Sequence, residues 1–204
     1  MNSIEKLAEI FRQFPGTGPR QAKRFVHFLL AQNSEFLNEL SAQITNLKSG
    51  IAQCAACQRF FSQTKMSALC NICADTSRDS TLLMIVEKDV DCDSVRRMDG
   101  YRGHFFILGG TLPILERDPT RKVRARELVT QVEGRAKNGL KEVILAFSVN
   151  PEGENTAQYI KKTIEPLAQK HGIKISTLGR GLSTGTELEY SDSDTIKNAL
   201  RNRS

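Results

Sequence analysis

The sequence predicts a protein of the α+β class that is built from several modules. Three patterns predict it: apolar residues at helical spacing up to residue 50, four cysteines in two Cys-x2-Cys pairs, and strands that alternate with helices from residue 81 onward. The chain has 204 residues, enough for one large domain or two to three small ones. We expect four parts: a helical module (1–50), a cysteine module (51–80), an α/β domain (81–175), and a C-terminal arm with a short helix (176–204).

Composition narrows the class of partner. The net charge of +6 and the pI near 9.2 favour a polyanionic partner such as nucleic acid, with the basic residues spread along the chain. The sequence has no run of 18 apolar residues, so we expect no membrane association. Five cysteines without a secretory signal indicate a reducing cytoplasm, where clustered thiols more often hold metal than form disulfides.

The first module contains a glycine-rich turn, FPGTGPRQAKRFVHFLL, at residues 14–30. Gly16 and Gly18 permit positive φ and a close backbone approach, and Pro19 suits the first turn of the next helix. The amides at that helix N-terminus form a site for a phosphate oxygen. Opposite the apolar face of the helix lies a basic stripe of Arg20, Lys23, Arg24 and His27. This pattern predicts a helix-hairpin-helix that grips a nucleic-acid backbone; the alternative is an ordinary helical hairpin with a solvated polar face.

The cysteine module carries Cys54-x2-Cys57 and Cys70-x2-Cys73. Each pair can bend into a knuckle that presents two thiolates, and two knuckles complete a closed tetrahedral zinc site. A closed site is structural, and it stabilises a segment too short to fold on its own core. Disulfides or buried free thiols are the alternatives. Cys92 has no partner motif, and we interpret it as an incidental thiol.

The α/β domain is predicted to contain a mostly parallel sheet that is covered on both faces. The predicted strands are 81–87, 104–110, 142–149 and 173–179, and the clearest helical patterns are 120–138 and 155–170. The basic run RKVRAR (121–126) is predicted to start a helix together with Pro119. A solvated face is its simplest interpretation, and contact with DNA or a partner is the alternative.

Acidic residues follow two of these strands. Glu87 ends the first strand and is followed by Asp89, Asp91 and Asp93, whereas Glu152 and Glu154 precede a helix predicted to begin near Asn155. Carboxyl ends of parallel strands meet at one edge, where α/β proteins place their sites. These carboxylates either bind Mg²⁺ on occasion or are acidic because the loops are exposed.

The order of these modules resembles the bacterial recombination mediator family RecR. The hairpin sequence above, CNIC at the end of the cysteine module, the Toprim-like segments LLMIVEKDVD and EVILAFSVNPEGENTAQYIKK, and the C-terminal GRGLSTGTELEYSDSDTIKNALRNR are similar to that family in sequence and order. One segment departs from it: TLPILERDPTRKVRAR stands where the family tends to have a glycine-rich loop.

The resemblance implies a function and a set of site residues. RecR-like proteins are not known as enzymes; they form ring-like tetramers, bind DNA, and act with RecO, and often RecF, to load RecA onto single strands. It implies DNA contact by Gly16, Gly18, Arg20, Lys23 and Arg24, zinc ligation by Cys54, Cys57, Cys70 and Cys73, and partner contact or a vestigial Mg²⁺ site at Glu87, Asp91, Glu152 and Glu154. It also implies subunit contacts through the C-terminal arm and the hairpin.

The rival hypothesis is a Mg²⁺-dependent Toprim nuclease or related phosphoryl-transfer enzyme. Catalytic Toprim domains generally pair a strand-end glutamate with a DxD motif after a later strand. Glu87 supplies the first, but the second position reads Glu152-Gly153-Glu154. This departure disfavours catalysis.

Overall fold

The computed structural model describes residues 1–63, 67–98, 100–116, 118–179, 188–191 and 193–201. The chain divides into two compact units, Met1–Ile51 and Ala52–Ser204. The α-helices are α1 (Ser3–Phe11), α2 (Pro19–Leu30), α3 (Ser34–Asn46), α4 (Asn71–Ala74), α5 (Asp89–Arg96), α6 (Pro119–Lys122), α7 (Ala125–Ala136), α8 (Pro151–His171) and α9 (Ser193–Arg201). The strands are β1 (Ile51–Gln53), β2 (Phe60–Ser62), β3 (Asp79–Val86), β4 (Gly103–Ile107), β5 (Glu142–Ala146) and β6 (Lys174–Thr177).

The first unit is a helical hairpin followed by a third helix. The side chain of Asn2 caps α1 in a capping box with Glu5, and α1 packs against α2 through Ala8, Ala22 and Val26. No described residue of α3 is buried. The predicted helical module is therefore present, with a small buried cluster between its first two helices.

The second unit contains a four-stranded parallel sheet in the order β4-β3-β5-β6. Successive side chains of β3 point to opposite faces, so Leu83 and Ile85 enter one buried cluster while Met84 and Val86 enter another. Residues of α7 and α8 complete the first cluster. The prediction of a parallel sheet covered on both faces is confirmed.

The cysteine module, together with Cys92 of α5, covers the second face of the sheet. Cys54, Cys57, Cys70 and Ile72 share a buried cluster with Met84, Val86, Phe105 and Ile107. The module also contains the two-stranded sheet β1-β2 and the short helix α4. The sequence predicted the module but not its packing against the sheet.

Two predicted boundaries fall inside strands, because β3 begins at Asp79 and β6 continues to Thr177. The predicted helix 120–138 is wrong as one element: α6 ends at Lys122 and α7 begins at Ala125. Val123 adopts an extended backbone and is buried in the core, and this interrupts the helix.

Of the predicted C-terminal arm, the structure describes a 3-10 helix at Leu188–Tyr190 and the helix α9. Residues 180–187, 192 and 202–204 lie outside the described residues. Within the described ranges, no helix is long and apolar enough to cross a membrane.

Candidate functional site

Four cysteine sulfurs converge in the second unit. The sulfur atoms of Cys54, Cys57, Cys70 and Cys73 all lie within 4.8 Å of one another, and the Sγ atoms of Cys57 and Cys70 are 3.6 Å apart. Three of these cysteines are buried and Cys73 is partly exposed. A tetrahedral ion with metal–sulfur bonds of about 2.3 Å holds its sulfurs roughly 3.8 Å apart, so the group fits a single metal ion.

Local backbone turns produce this convergence. The amide of Cys54 donates to the carbonyl of Arg59 at 2.8 Å, and the amide of Gln58 donates to the carbonyl of Cys54 at 2.9 Å, with Gln58 at φ 64°. The second pair begins α4, where the amide of Cys70 donates to Cys54 Sγ at 3.4 Å. Each Cys-x2-Cys pair is thus a tight knuckle that presents both sulfurs to the same point.

The pKa values of the clustered thiols are shifted by one another, whereas that of the fifth cysteine is shifted by burial. Hydrogen bonds from Cys57, and then from Cys70, lower the pKa of Cys54 far below its ordinary value. Burial raises the pKa of Cys92 to about 11. Hydrogen bonds with Cys54 raise the pKa of Cys57 and the pKa of Cys73, so the four thiols do not all favour the thiolate form that a metal requires, whereas burial keeps Cys92 a protonated thiol. Cys92 is a fully buried core residue.

The cysteine module is held to the α/β core by specific polar contacts. The amide of Ile107, at the end of β4, donates to the carbonyl of Cys57 at 2.8 Å. The amide of Phe60 donates to Asp89 Oδ1 at 2.9 Å. Arg59 pairs with Asp93 at 3.2 Å, and its side chain is only 13% exposed. Two of the acids that the sequence placed in a possible Mg²⁺ site thus face the cysteine module.

The hairpin presents its basic residues to solvent. Arg20, Lys23, Arg24 and His27 are all exposed on α2, while Ala22 and Val26 are buried on its other face. Helix α2 begins at Pro19 and has no side-chain N-cap hydrogen bond. Its first-turn amides are therefore available to an anion, and the exposed basic stripe accompanies them.

The two glycines of the hairpin turn differ in conformation. Gly16 has φ +73°, which an L side chain rarely adopts. Gly18 has φ −79° and ψ 171°, so of the two glycines that permit positive φ only Gly16 uses it. Gly18 is the N-cap of α2, and no heavy atom lies within 4 Å of the position that a Cβ would occupy. The open space beside it leaves the helix N-terminus accessible.

The acids that the sequence placed at the sheet edge separate into two groups. Glu87 and Asp91 line a cavity of about 220 Å³ with Ser94 and Ser148. Glu87 is 6% exposed, and its Oε1 accepts a hydrogen bond of 2.6 Å from the backbone amide of Ser148. Asp91 accepts a hydrogen bond from the amide of Lys88 at 2.9 Å.

Glu152 and Glu154 lie inside α8, not before it as predicted. Asn150 caps the helix by accepting from the amide of Gly153 at 2.7 Å, and Pro151 occupies its first position. Both glutamates thus stand in the first turn, where negative charge is favourable to the helix dipole. Glu152 also accepts from Thr111 Oγ1 at 3.2 Å.

In the part of the chain that the structure describes, no three of these acids come close enough together to hold an ion by themselves. Among the described residues, the four cysteines are the only group of three or more histidine, cysteine, aspartate or glutamate side chains that could hold an ion. Glu87 and Asp91 provide a carboxylate pair along one cavity.

Sequence reasoning missed several residues that shape these sites. Ser148 contributes only its backbone amide to Glu87, and no sequence signal marks such a contact. Gly153 is needed because a Cβ there would overlap the carbonyl oxygen of Ser148. No sequence signal marks the ion pair of Arg59 with Asp93 either. Asn150 could have been found, because Asn followed by Pro is a helix-start pattern.

Comparison with known proteins first defines the class. The family described as Toprim domain matches residues 81–179, and the family described as RecR, C-terminal, matches residues 181–204. A chain with a hairpin unit and a four-cysteine knuckle before such an α/β domain is a modular Toprim-domain protein.

Full-length relatives then identify the family. The recombination protein RecR of Dehalococcoides mccartyi is 34% identical over 201 residues, covering 98% of this chain and 93% of that protein. Those of Lactobacillus acidophilus and Chloroherpeton thalassium are each 32% identical, covering 98% and 100% of this chain and 96% and 97% of those proteins. The chain belongs to the RecR family.

Proposed function

We propose that this protein is a DNA-binding recombination mediator in recombinational DNA repair. It acts in the cytoplasm as a ring-forming clamp with RecO, and with RecF where that protein takes part, to help load RecA on single-stranded DNA. It performs no chemical step itself. The assignment of modules is 1–50 for DNA binding, 51–80 for the zinc site, 81–175 for the Toprim domain and 176–204 for subunit contacts.

One observation carries this proposal: the exposed basic stripe lies on α2, which begins after the glycine turn without a side-chain N-cap hydrogen bond. Arg20, Lys23 and Arg24 supply positive charge along the helix, and Gly16 and Gly18 let a phosphate approach its N-terminus. Contacts of this kind go to the phosphate backbone and carry no sequence information. They suit a protein that must bind wherever a lesion occurs.

The four-cysteine site holds one structural Zn²⁺ in this proposal. An all-thiolate donor set is typical of Zn²⁺, and four ligands leave no open position for a substrate. When bound, the ion stabilises the two knuckles. The residues Cys54, Cys57, Cys70 and Cys73 hold it, and Arg59 ties their module to Asp93 of α5.

Glu87, Asp91, Glu152 and Glu154 serve partner contact, or a vestigial Mg²⁺ site, in this proposal. The cavity lined by Glu87 and Asp91 is acidic, so it suits a positively charged partner segment. Self-association is supported by the first unit, where a groove of about 270 Å³ is lined almost entirely by apolar side chains of α1, α2 and α3.

The test of DNA binding is a salt titration of a fluorescent duplex followed by anisotropy. Lys23→Ala with Arg24→Ala should weaken binding to every sequence and reduce the steepness of the salt dependence by about 1 to 2, because each lost phosphate contact retains about one counterion. The control is Lys161→Ala with Lys162→Ala, an exposed basic pair on α8. Equal binding by both double variants would show that α2 is not the contact surface.

The ring is tested by light-scattering mass at low and moderate salt, alone and with duplex. A species near four times 22.8 kDa that retains DNA supports the clamp. A monomer under all conditions contradicts it and reopens the metalloenzyme hypothesis. Mg²⁺-dependent nicking of supercoiled plasmid that Glu87→Ala abolishes would replace the mediator proposal with that hypothesis.

A further inference from the structure

The basic run at 121–126 is folded onto a cavity by the interruption between α6 and α7. Val123 turns into the core, where it is 4% exposed, and the amide of Arg124 donates to the carbonyl of Leu108 at 2.9 Å. Because the chain bends here, Arg121, Lys122 and Arg124 line one cavity instead of spreading around a continuous helix. The cavity has a volume of about 290 Å³ and is lined by Leu108, Gly109, Thr120, Arg121, Lys122, Val123, Arg124 and Glu127.

The guanidinium of Arg124 is held in place within this cavity. Its NH1 donates to the carbonyl of Ile107 at 3.1 Å, at the end of β4. Its Cζ lies 3.3 Å from the position that a Cβ on Gly109 would occupy, and Gly109 has φ +99°. A Cβ at Gly109 would require the guanidinium to shift by a few tenths of an ångström. Gly109 is itself fixed, since its amide donates to the carbonyl of Glu87 at 2.9 Å.

The charges that face the cavity favour an anion. Three cations line it against one carboxylate, that of Glu127. Arg121 also pairs with Asp118 at 2.9 Å and Lys122 with Glu116 at 3.9 Å. The side chains of Arg121 and Lys122 are 85% and 57% exposed, so both pairs are weak and can exchange for a stronger acceptor.

We propose that this cavity binds a phosphate group of the nucleic-acid backbone. This inference rests on the proposed function and adds a DNA contact in the second unit to that of α2. A planar guanidinium with several donors matches phosphate geometry, and the two exposed basic side chains neutralise its charge. A contact to the phosphate backbone carries no sequence information.

The test compares Arg121→Gln/Lys122→Gln with Lys161→Gln/Lys162→Gln in the same duplex salt titration. Both double variants remove two positive charges from exposed positions of the second unit. The first is expected to weaken binding at low salt about five- to twenty-fold and to lower the steepness of the salt dependence by about 1 to 2. The second is expected to match the wild type, because neither Lys161 nor Lys162 lines the cavity.

A second variant tests whether removal of a negative charge from the cavity strengthens DNA binding. Glu127→Gln removes the carboxylate that lines the cavity, so it is expected to tighten DNA binding about two- to five-fold and to leave the α2 contact unchanged. Loss of stability cannot produce tighter binding. A Glu127→Gln variant with unchanged or weaker binding contradicts the proposal.

The outcomes separate this inference from the proposed function. If Arg121→Gln/Lys122→Gln binds as the wild type does while Lys23→Ala/Arg24→Ala is weakened, the cavity is not a DNA contact and the α2 assignment stands. If neither double variant changes binding, both proposals fail. If the α2 variant is unchanged and the cavity variant is weakened, the DNA contact belongs to the second unit and the α2 assignment fails.

Discussion

The two units of this chain bury their apolar side chains to very different extents. In the first unit the buried cluster consists of Ala8, Ala22 and Val26, all small or medium side chains. In the second unit both faces of the sheet carry buried clusters that contain Phe105, Phe106 and several leucines and isoleucines. The second unit therefore has two large apolar clusters of its own, whereas the first has one small cluster.

The first unit also exposes large apolar side chains, several of them on α2, on α3 and at Leu47 just after α3. Phe28, Leu30, Ile44 and Leu47 are between 54% and 68% exposed. Scattered exposed apolar residues are ordinary, but several on adjacent helices beside an apolar groove favour association. The unit proposed to bind DNA is thus also the unit with the smaller buried cluster and with an apolar groove between its helices.

Metal removal is expected to have the largest effect on stability of all the changes, and to destabilise the second unit only. Cys70→Ser should lower the free energy of unfolding by about 5 kcal/mol or more, because structural zinc supplies roughly 10–16 kcal/mol in isolated finger peptides. The cysteine cluster covers one face of the sheet, so its loss should expose Met84 and Phe105. Thermal unfolding with and without chelator, together with metal analysis, measures this.

The matched control is Cys92→Ala, a buried cysteine outside the metal cluster. It should retain one metal ion per chain and cost far less stability. If chelation leaves thermal stability and assembly unchanged, the structural-zinc proposal fails.

Truncation of a core side chain is expected to have the next largest effect on stability, and to cost more in the second unit than in the first. Phe106→Ala is expected to cost about 3–5 kcal/mol, because Phe106 is fully buried in the larger cluster. Val26→Ala removes two methyl groups and should cost about 1–2 kcal/mol. Denaturant unfolding followed by a probe in each unit measures both. Equal costs for the two variants would contradict the difference between the units.

Substitution of either hairpin glycine by alanine is expected to lower the stability of the first unit by a smaller amount, and the two substitutions should differ. Gly16→Ala should cost about 1–2 kcal/mol, because its φ of +73° is strained for alanine. Gly18→Ala should cost at most about 0.5 kcal/mol, since its backbone is extended and its surroundings are open. Gly18→Ala should nevertheless weaken DNA binding, because its methyl group meets an approaching phosphate. Denaturation and anisotropy on the same samples test the pair, and a reversed order of stabilities would refute it.

The smallest effect is a pH dependence in the second unit. Burial, followed by the charges of Arg135 and Arg78, lowers the pKa of His104 below its ordinary 6.5. Its buried Nδ1 has no hydrogen-bond partner among the described residues. As the pH falls, His104 therefore becomes protonated at a higher pH in the unfolded chain than in the folded chain. The stability that depends on neutral His104 is fully present above about pH 6.5. It is lost as the pH falls toward the folded pKa, by at most about 1.4 kcal/mol per pH unit.

His104→Gln should flatten that part of the stability profile, measured by denaturation between about pH 7.5 and about pH 5.5. The same substitution at His27, an exposed residue of α2, is the control for removing an imidazole. A His104→Gln profile that keeps the wild-type slope would assign the pH dependence to another group.

Sequence reasoning worked best where a pattern is local. The cysteine spacing predicted a cluster that the structure brings within metal-binding distance, and the basic stripe of α2 is exposed as its helical spacing indicates. It did not distinguish the two hairpin glycines, of which Gly16 takes positive φ and Gly18 is the N-cap of α2. It failed at Val123, because burial in the core ended a helix that local propensity would have continued.

The sequence by itself determined the order of modules, the parallel sheet and the four candidate metal ligands, because each depends on periodicity or spacing within a short stretch. Only the tertiary structure decided what lies side by side. It placed Asp89 and Asp93 against the cysteine module, Glu87 beside the amide of Ser148, and Arg124 over Gly109. These contacts join residues between 15 and 61 positions apart, and they depend on how helices and strands pack, which no local pattern encodes.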